Sequence, residues 1–318
     1  MRLSNRTLFV IRPIPPYDFE LTVRKPAGWS LLNPLEVYRE GTLWTATHFD
    51  RELVGIRLTG KGTVEHPRID VAIFSSKRHG AGWAAGAEKL LSSMLGADQD
   101  LSQFYSFAKR DGILKHVIDD LYGMHDTFSN TIFSEAVLAI LLQMAPLKRS
   151  NEMMVSFINE YGDTVEFDGE RIRAWPTPQK MANVDQEELA RRCRVGYRAK
   201  SIIKLAKRLL AVDFPSAEEL ERMDSDRARE ALLELPGIGD YSADIINPHG
   251  GFPIDVWSAE VFGKLFFGKE PRNNRDAVER VKREGIRRWG KWAWMAFFYT
   301  VQDLEGLSRK LGTRIRLT

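Results

Sequence analysis

Apolar and polar residues alternate through much of the first quarter of the chain: Phe19, Leu21 and Val23, then Val54, Ile56 and Leu58, then Ile69, Val71 and Ile73. Alternation is the period of a half-buried strand, so residues 17–75 are expected to form an antiparallel sheet. Gly28, Gly41, Gly60, Gly62 and Pro67 would supply the turns between its strands. From about residue 84 the period becomes helical, first in "AEKLLSSML", then in "FYSFAKRDGILKHVIDDLYG", and in every later segment long enough to read. Helix starts recur there: Ser216 and Glu219 make a capping box, and Asp224 or Ser225 precedes "DRAREALLEL". The pattern predicts an α+β chain, with a β-rich part at 1–88 followed by a helical part at 89–318.

Composition narrows the function classes more than it changes this outline. With 318 residues, 43% of them hydrophobic and 28% charged, the chain can bury a core for about two ordinary globular domains. The net charge of +3, from 46 basic and 43 acidic side chains, permits a polyanionic partner without requiring one. Cys193 is the single cysteine, which excludes an intramolecular disulfide, an iron–sulfur cluster and a cysteine-ligated zinc, and suits a reducing cytoplasm. The six histidines show no HxxxH or HExxH spacing, so no catalytic metal is expected. Near the start, the apolar run in "RTLFVIRPIPPYDFEL" is broken by Arg12 and three prolines, which fits neither a signal peptide nor a membrane span.

The stretch "REALLELPGIGDYSADII" reads as helix, tight turn, helix. Pro236 and Gly237 end the first helix, and Asp240 or a neighbour caps the second. Gly237 and Gly239 remove side chains where the backbone bends, exposing amides at a helix N-terminus, whose partial positive charge suits a phosphate. A plain helix–helix turn would use the same glycines; Ile238, pinning the turn into a core, makes the full run more specific.

"LPGIGDYSA", followed by "NPHGGFPIDVW", resembles the signature of the helix-hairpin-helix-GPD superfamily of DNA glycosylases. Upstream, "VGYRAKSIIKLAKRL" is similar to a helix start of its 8-oxoguanine branch, and "AILLQMAPLKRSNEMM" to a helix of its 3-methyladenine (alkylbase) branch. The resemblance covers roughly residues 130–305. It implies a TATA-binding-protein-like N-terminal sheet domain and an all-α catalytic domain acting in base excision repair. Such enzymes flip one nucleotide out of double-stranded DNA and cut its N-glycosidic bond. The superfamily's acid maps onto Asp255, whose carboxylate would stabilise positive charge on the sugar and align water. An Asp before a helix is also an ordinary N-cap. Pro236, Gly237, Ile238, Gly239, Tyr241 and Ser242 map onto the DNA-binding hairpin, with no cofactor beyond an optional monovalent cation, Na+ or K+, on its carbonyls.

The lyase lysine of bifunctional members falls at Tyr241, and a phenol cannot form an imine, so a monofunctional hydrolase is expected. Lys264 and Lys200 are read as solvated or phosphate-facing. Phe298 takes the place of the ring that stacks on a flipped base, while Trp294 replaces a base-reading glutamine; with Phe133 these are the pocket candidates. Aromatic walls favour cationic, N-alkylated purines by stacking and cation–π attraction, worth roughly 0.5–2 kcal/mol each. Oxidised or deaminated purines, and a non-catalytic DNA-binding module, are the alternatives. Met144, after Gln143, is the expected wedge into the hole left in the duplex. Arg198 and Lys200 are the preferred phosphate contacts among the basic residues, which include Lys148, Arg149, Lys204 and Arg208. His249 lies in the catalytic connector and is read as structural. The expected partner is a duplex carrying a damaged base, met by a monomer in the cytoplasm near the nucleoid, without a membrane.

Overall fold

The computed structural model describes residues 1–27, 34–128, 131–211, 214–268 and 275–312. In chain order the elements are β1 (Asn5–Ile11), α1 (Phe19–Arg24), β2 (Val37–Arg39), β3 (Thr42–Phe49), β4 (Glu52–Thr63), β5 (His66–Ser75), α2 (Ala81–Met94) and α3 (Ser102–Ala108). There follow α4 (Ile132–Leu142), α5 (Leu147–Tyr161), β6 (Thr164–Phe167), β7 (Glu170–Arg173), α6 (Pro178–Met181), α7 (Gln186–Arg192) and α8 (Arg198–Leu209). The chain finishes with α9 (Ala217–Arg222), α10 (Ser225–Leu233), α11 (Asp240–Ile246), α12 (Val256–Phe267), α13 (Arg275–Trp289), α14 (Ala293–Gln302) and α15 (Leu304–Leu311). The fold is thus an N-terminal antiparallel sheet followed by a helical region, as the patterning predicts. These elements form two compact units: Met1–Asp100 with Gly123–Phe214, and Leu101–Tyr122 with Pro215–Thr318.

In the first unit, five antiparallel strands lie in the order β1-β5-β4-β3-β2. One face of the sheet packs Ile56, Leu58, Ile69, Val71 and Ile73 against Ala87, Leu91 and Met94 of α2. The other packs Ala46, Ala72 and Phe74 against Val165, Phe167 and Ile172 of the β6–β7 hairpin. Burial on both faces explains why alternation is clean only where one face takes the larger side chains. Gly55 is the contact point on the second face: a Cβ there would lie 2.3 Å from the Phe167 ring.

The structure changes several details of the sequence reading. Phe19, Leu21 and Val23 are helical, not extended, because Asp18 caps α1 by accepting from the Leu21 N–H at 2.9 Å. The strand β1, opposite β5, precedes the region read as sheet. Gly41 is a turn residue, but Gly60 and Gly62 lie inside β4, and Gly60 makes room for the Phe19 ring. Gly28 lies outside the described residues. "FYSFAKRDGILKHVIDDLYG" is helical only as α3 and a 3-10 turn at Leu114–His116. The β6–β7 hairpin interrupts the helical part; its Asp168–Gly169 turn has φ of 50° and 83°, the two positive values of a type I′ turn.

The second unit is helical, with the capping box of Ser216 and Glu219 at α9 and Asp224 as the N-cap of α10. Its core gathers Phe252, Phe262, Trp289 and Phe297 in edge and stacked contacts. Among the described residues, no helix is long and apolar enough to cross a membrane.

Candidate functional site

The helix–turn–helix of the second unit forms as the sequence predicts. Leu235, Ile238 and Ala243 are buried and hold the turn to the core, and the Ile238 N–H donates to the Leu235 carbonyl at 3.1 Å. Gly237 has φ of 86°, where a side chain would be strained. Gly239 is the N-cap of α11 and offers no side-chain oxygen to its first amides, and Gly237 and Gly239 are both exposed. The positive end of the helix therefore lies at a surface of exposed glycines. Ser242, placed with the DNA contacts by its motif position, is buried, so its side chain is withdrawn from that surface.

Ionic contacts brace the hairpin from behind. Asp244 on α11 accepts from Arg229 Nε of α10 at 2.8 Å and from Lys282 Nζ of α13, while Arg229 also binds Asp240. The connector "NPHGGFPID" then runs across this brace. Asn247 donates to the Ser225 carbonyl at 3.2 Å and accepts from the backbone N–H of His249 at 3.2 Å. A Cβ on Gly251 would lie 2.6 Å from Asp244 Cβ, and one on Gly250 2.7 Å from Trp294 Cβ. Close approach dictates both glycines, and Gly250, with φ of 72°, is dictated by turning as well.

The connector delivers Asp255 to the start of α12. Its Oδ1 accepts from Ser258 N at 2.8 Å and from Ser258 Oγ at 2.7 Å, and the Asp255 N–H donates back to Ser258 Oγ at 2.8 Å. Asp255 is therefore an N-cap, half-exposed, and its Oδ2 makes no hydrogen bond among the described residues. Tyr241, half-buried on α11, senses the same carboxylate: burial, then the negative charge of Asp255, push its phenol above the ordinary range. The hairpin and the acid are thus brought together in one unit.

Trp294 and Phe298, four residues apart on α14, stack at 6.3 Å between centroids with planes 14° apart. Their accessibility differs. Phe298 is 5% exposed and sits in the core, whereas Trp294 is partly exposed beside Gly250 of the connector.

In the first unit, α4 ends at Gln143, and Met144 follows with φ of 48° and 74% exposure. An apolar side chain held this far into solvent has the form required of a wedge. Phe133, by contrast, is 2% exposed on α4, a helix buried along most of its length, and sits in the core. Arg198 differs from expectation as well. At 8% exposure its guanidinium turns inward, donating to the carbonyls of Ile140 at 3.2 Å and of Gln143. It closes the C-terminus of α4 and fixes the turn that presents Met144, leaving exposed Lys200 as the free cation of the pair. Arg198 also lies 4.7 Å from the ring of Tyr197, a 67%-exposed aromatic that the sequence reading missed because its motif neighbour is the charged residue.

Comparison with known proteins follows the same segment. Residues 137–288 match the model of the HhH-GPD superfamily base excision DNA repair protein. A Methanothermobacter thermautotrophicus protein described as a probable N-glycosylase/DNA lyase is 28% identical over 58% of this chain and 65% of its own length. A Bacillus subtilis DNA-3-methyladenine glycosylase is 24% identical over 66% of this chain and 70% of its own. The fold resembles that of an Archaeoglobus fulgidus 3-methyladenine DNA glycosylase, with TM-score 0.73, 20% identity and coverage of 96% of this chain and 100% of that one. It also resembles a Clostridium acetobutylicum 8-oxoguanine glycosylase/lyase in complex with DNA, with TM-score 0.69, 16% identity and coverage of 98% and 100%.

Proposed function

We propose that this protein is a monofunctional DNA glycosylase that extrudes an N-alkylated purine and hydrolyses its N-glycosidic bond. The observation that carries the reading is that Tyr241 and the Asp255 N-cap stand in one unit, with the negative charge of the carboxylate acting on the phenol. At the place where a lyase holds its amine stands a phenol, next to a carboxylate with one uncommitted oxygen. Departure of the base leaves positive charge on the sugar; a fixed carboxylate stabilises that charge and orients the attacking water. The water's proton then has an acceptor, and no covalent enzyme–DNA bond forms. Exposed Gly237 and Gly239 at the N-terminus of α11 support a phosphate contact, with Na+ or K+ on the hairpin supplying further positive charge. Partly exposed Trp294 and its stacked partner Phe298 support an electron-poor, cationic purine over a neutral one. An apolar wedge at Met144 supports extrusion, and the chain is proposed to act as a monomer on duplex DNA.

The name of the Methanothermobacter relative keeps a lyase in view, and the 8-oxoguanine fold relative keeps oxidised bases in view. One experiment separates these readings. Single-turnover excision is measured on duplexes carrying 7-methylguanine, 1,N6-ethenoadenine, hypoxanthine or 8-oxoguanine, with and without borohydride. We expect fastest release of the alkylated purines, abasic product without strand cleavage, and no borohydride-trapped adduct. Asp255→Asn is expected to keep DNA affinity and lose at least about a hundredfold in rate. Fastest release of 8-oxoguanine would overturn the substrate class, a trapped adduct the hydrolytic mechanism, and full activity of Asp255→Asn the role of the carboxylate.

A further inference from the structure

The Asp255 carboxylate has two tasks that compete for its oxygens: capping α12 and serving the reaction. Ser258 resolves the competition. Its hydroxyl accepts from the Asp255 N–H at 2.8 Å and donates to Oδ1 at 2.7 Å, while its own N–H donates to that same oxygen at 2.8 Å. An alternative acceptor for the hydroxyl, the Asp255 carbonyl, lies at 3.3 Å and is the weaker partner. All three short contacts fall on one oxygen and the backbone of one residue. Ser258 itself is 1% exposed and cannot rotate away without burying an unsatisfied hydroxyl.

A capping box usually pairs a short hydroxyl at the N-cap with a long carboxylate or amide three residues later. Here the order is reversed, with the carboxylate at the N-cap and the hydroxyl within α12. The reversal matters because an ordinary N-cap needs only one acceptor bond to one amide, and the aspartate could then swing about its side-chain torsions. With two donors on Oδ1 the carboxylate plane is fixed, and Oδ2 is left in a defined direction at the half-exposed mouth of the helix.

We infer that Ser258 is a positioning residue for base excision, holding Asp255 through Oδ1 so that Oδ2 meets the sugar or the attacking water. The inference rests on the reading of Asp255 as the reactive carboxylate. Loss of the hydroxyl frees the carboxylate to turn, and small displacements of a reacting group are costly in rate. Binding, which resides in the hairpin amides and other surfaces, is left as it was.

The test is single-turnover excision and DNA affinity for Ser258→Ala, Ser258→Thr and Ser258→Cys. They are measured on the lesion duplex that the unaltered protein excises fastest, well below each variant's thermal midpoint. Ser258→Ala is expected to lose about tenfold or more in rate with DNA affinity within about twofold. Ser258→Thr, which keeps the hydroxyl, is expected to recover most of the rate, and Ser258→Cys, a near-isosteric weak donor, to fall between them. Should Ser258→Ala fail to fold, Ser258→Cys decides. A cap with no part in chemistry would lower the thermal midpoint and leave the rate of the folded protein unchanged, and that result overturns the inference. Asp255→Asn distinguishes the two levels: if it is inactive while the Ser258 variants work normally, only the positioning role falls. If Asp255→Asn is fully active, or no lesion is released by the unaltered protein, the carboxylate reading falls and takes Ser258 with it.

Discussion

At single residues, two rings four positions apart on α14 look interchangeable in sequence and are not. Phe298 is walled into the core, so Phe298→Ala is expected to act on stability, by about 3–5 kcal/mol, as for other large buried rings. Trp294 keeps a partly exposed face beside the connector. Its replacement by Ala is expected to leave the thermal midpoint within a few degrees and to lower kcat/KM on a cationic alkylpurine about tenfold. That factor corresponds to the upper part of a cation–π contribution. Urea unfolding read beside excision kinetics checks both, and an excision defect confined to Phe298→Ala would remove Trp294 from the pocket. The motif position marks both rings as candidates, but only packing ranks them. Arg198 teaches the same lesson from the other side. A basic residue opening a helix reads as a phosphate contact, yet its neighbours are two carbonyls at the end of α4. Those carbonyls sit more than fifty residues away in the chain, where no local pattern points.

At the scale of elements, the hairpin was legible because its chemistry is local. Turn glycines, a buried Ile238 and an acid after a fixed connector all lie within about twenty residues. The β6–β7 hairpin carried an equally local signal, Asp168–Gly169 between alternating residues, but it was masked by the helical period on either side. What no pattern contains is the reason for Gly251. The connector passes so close to α11 that a methyl group there would strike Asp244, the carboxylate that binds Arg229 and Lys282. Space and charge can be tested apart. Gly251→Ala keeps the ion pairs and should cost about 1–3 kcal/mol by overpacking, with excision slowed because the displaced connector carries Asp255. Asp244→Asn keeps the shape and removes the charge; leaving two cations partly buried should cost about 2–4 kcal/mol, toward the lower end because both retain some solvent. Thermal unfolding of the two variants checks these values, and a neutral Gly251→Ala would show that the connector can move without consequence.

For the molecule as a whole, the question is how a chain with a net charge of only +3 would hold a polyanion. Several of its cations are already spent: Arg229 and Lys282 on Asp244, Arg192 on Glu160 and Glu188, and Arg198 on backbone carbonyls. On the proposed reading the hairpin would contribute amides, which bind a phosphate without carrying a unit charge. Counterion release follows the number of phosphates neutralised by lysine and arginine, with a slope of about −0.9 in log K against log salt for each. The expected slope for this protein on duplex DNA is therefore shallow, no steeper than about −4, corresponding to a few cationic contacts rather than a basic track. Lys200→Ala should reduce it by about one, since that side chain is exposed where Arg198 is not. Arg198→Lys should leave the slope unchanged and instead weaken the turn that presents Met144, because an ammonium cannot reproduce two guanidinium bonds to two carbonyls. Fluorescence anisotropy across a salt series measures all three. A slope of about −6 or steeper in the unaltered protein would mean that lysine and arginine, not the glycine turn, carry the backbone contact, and the hairpin would lose its place at the centre of the binding surface.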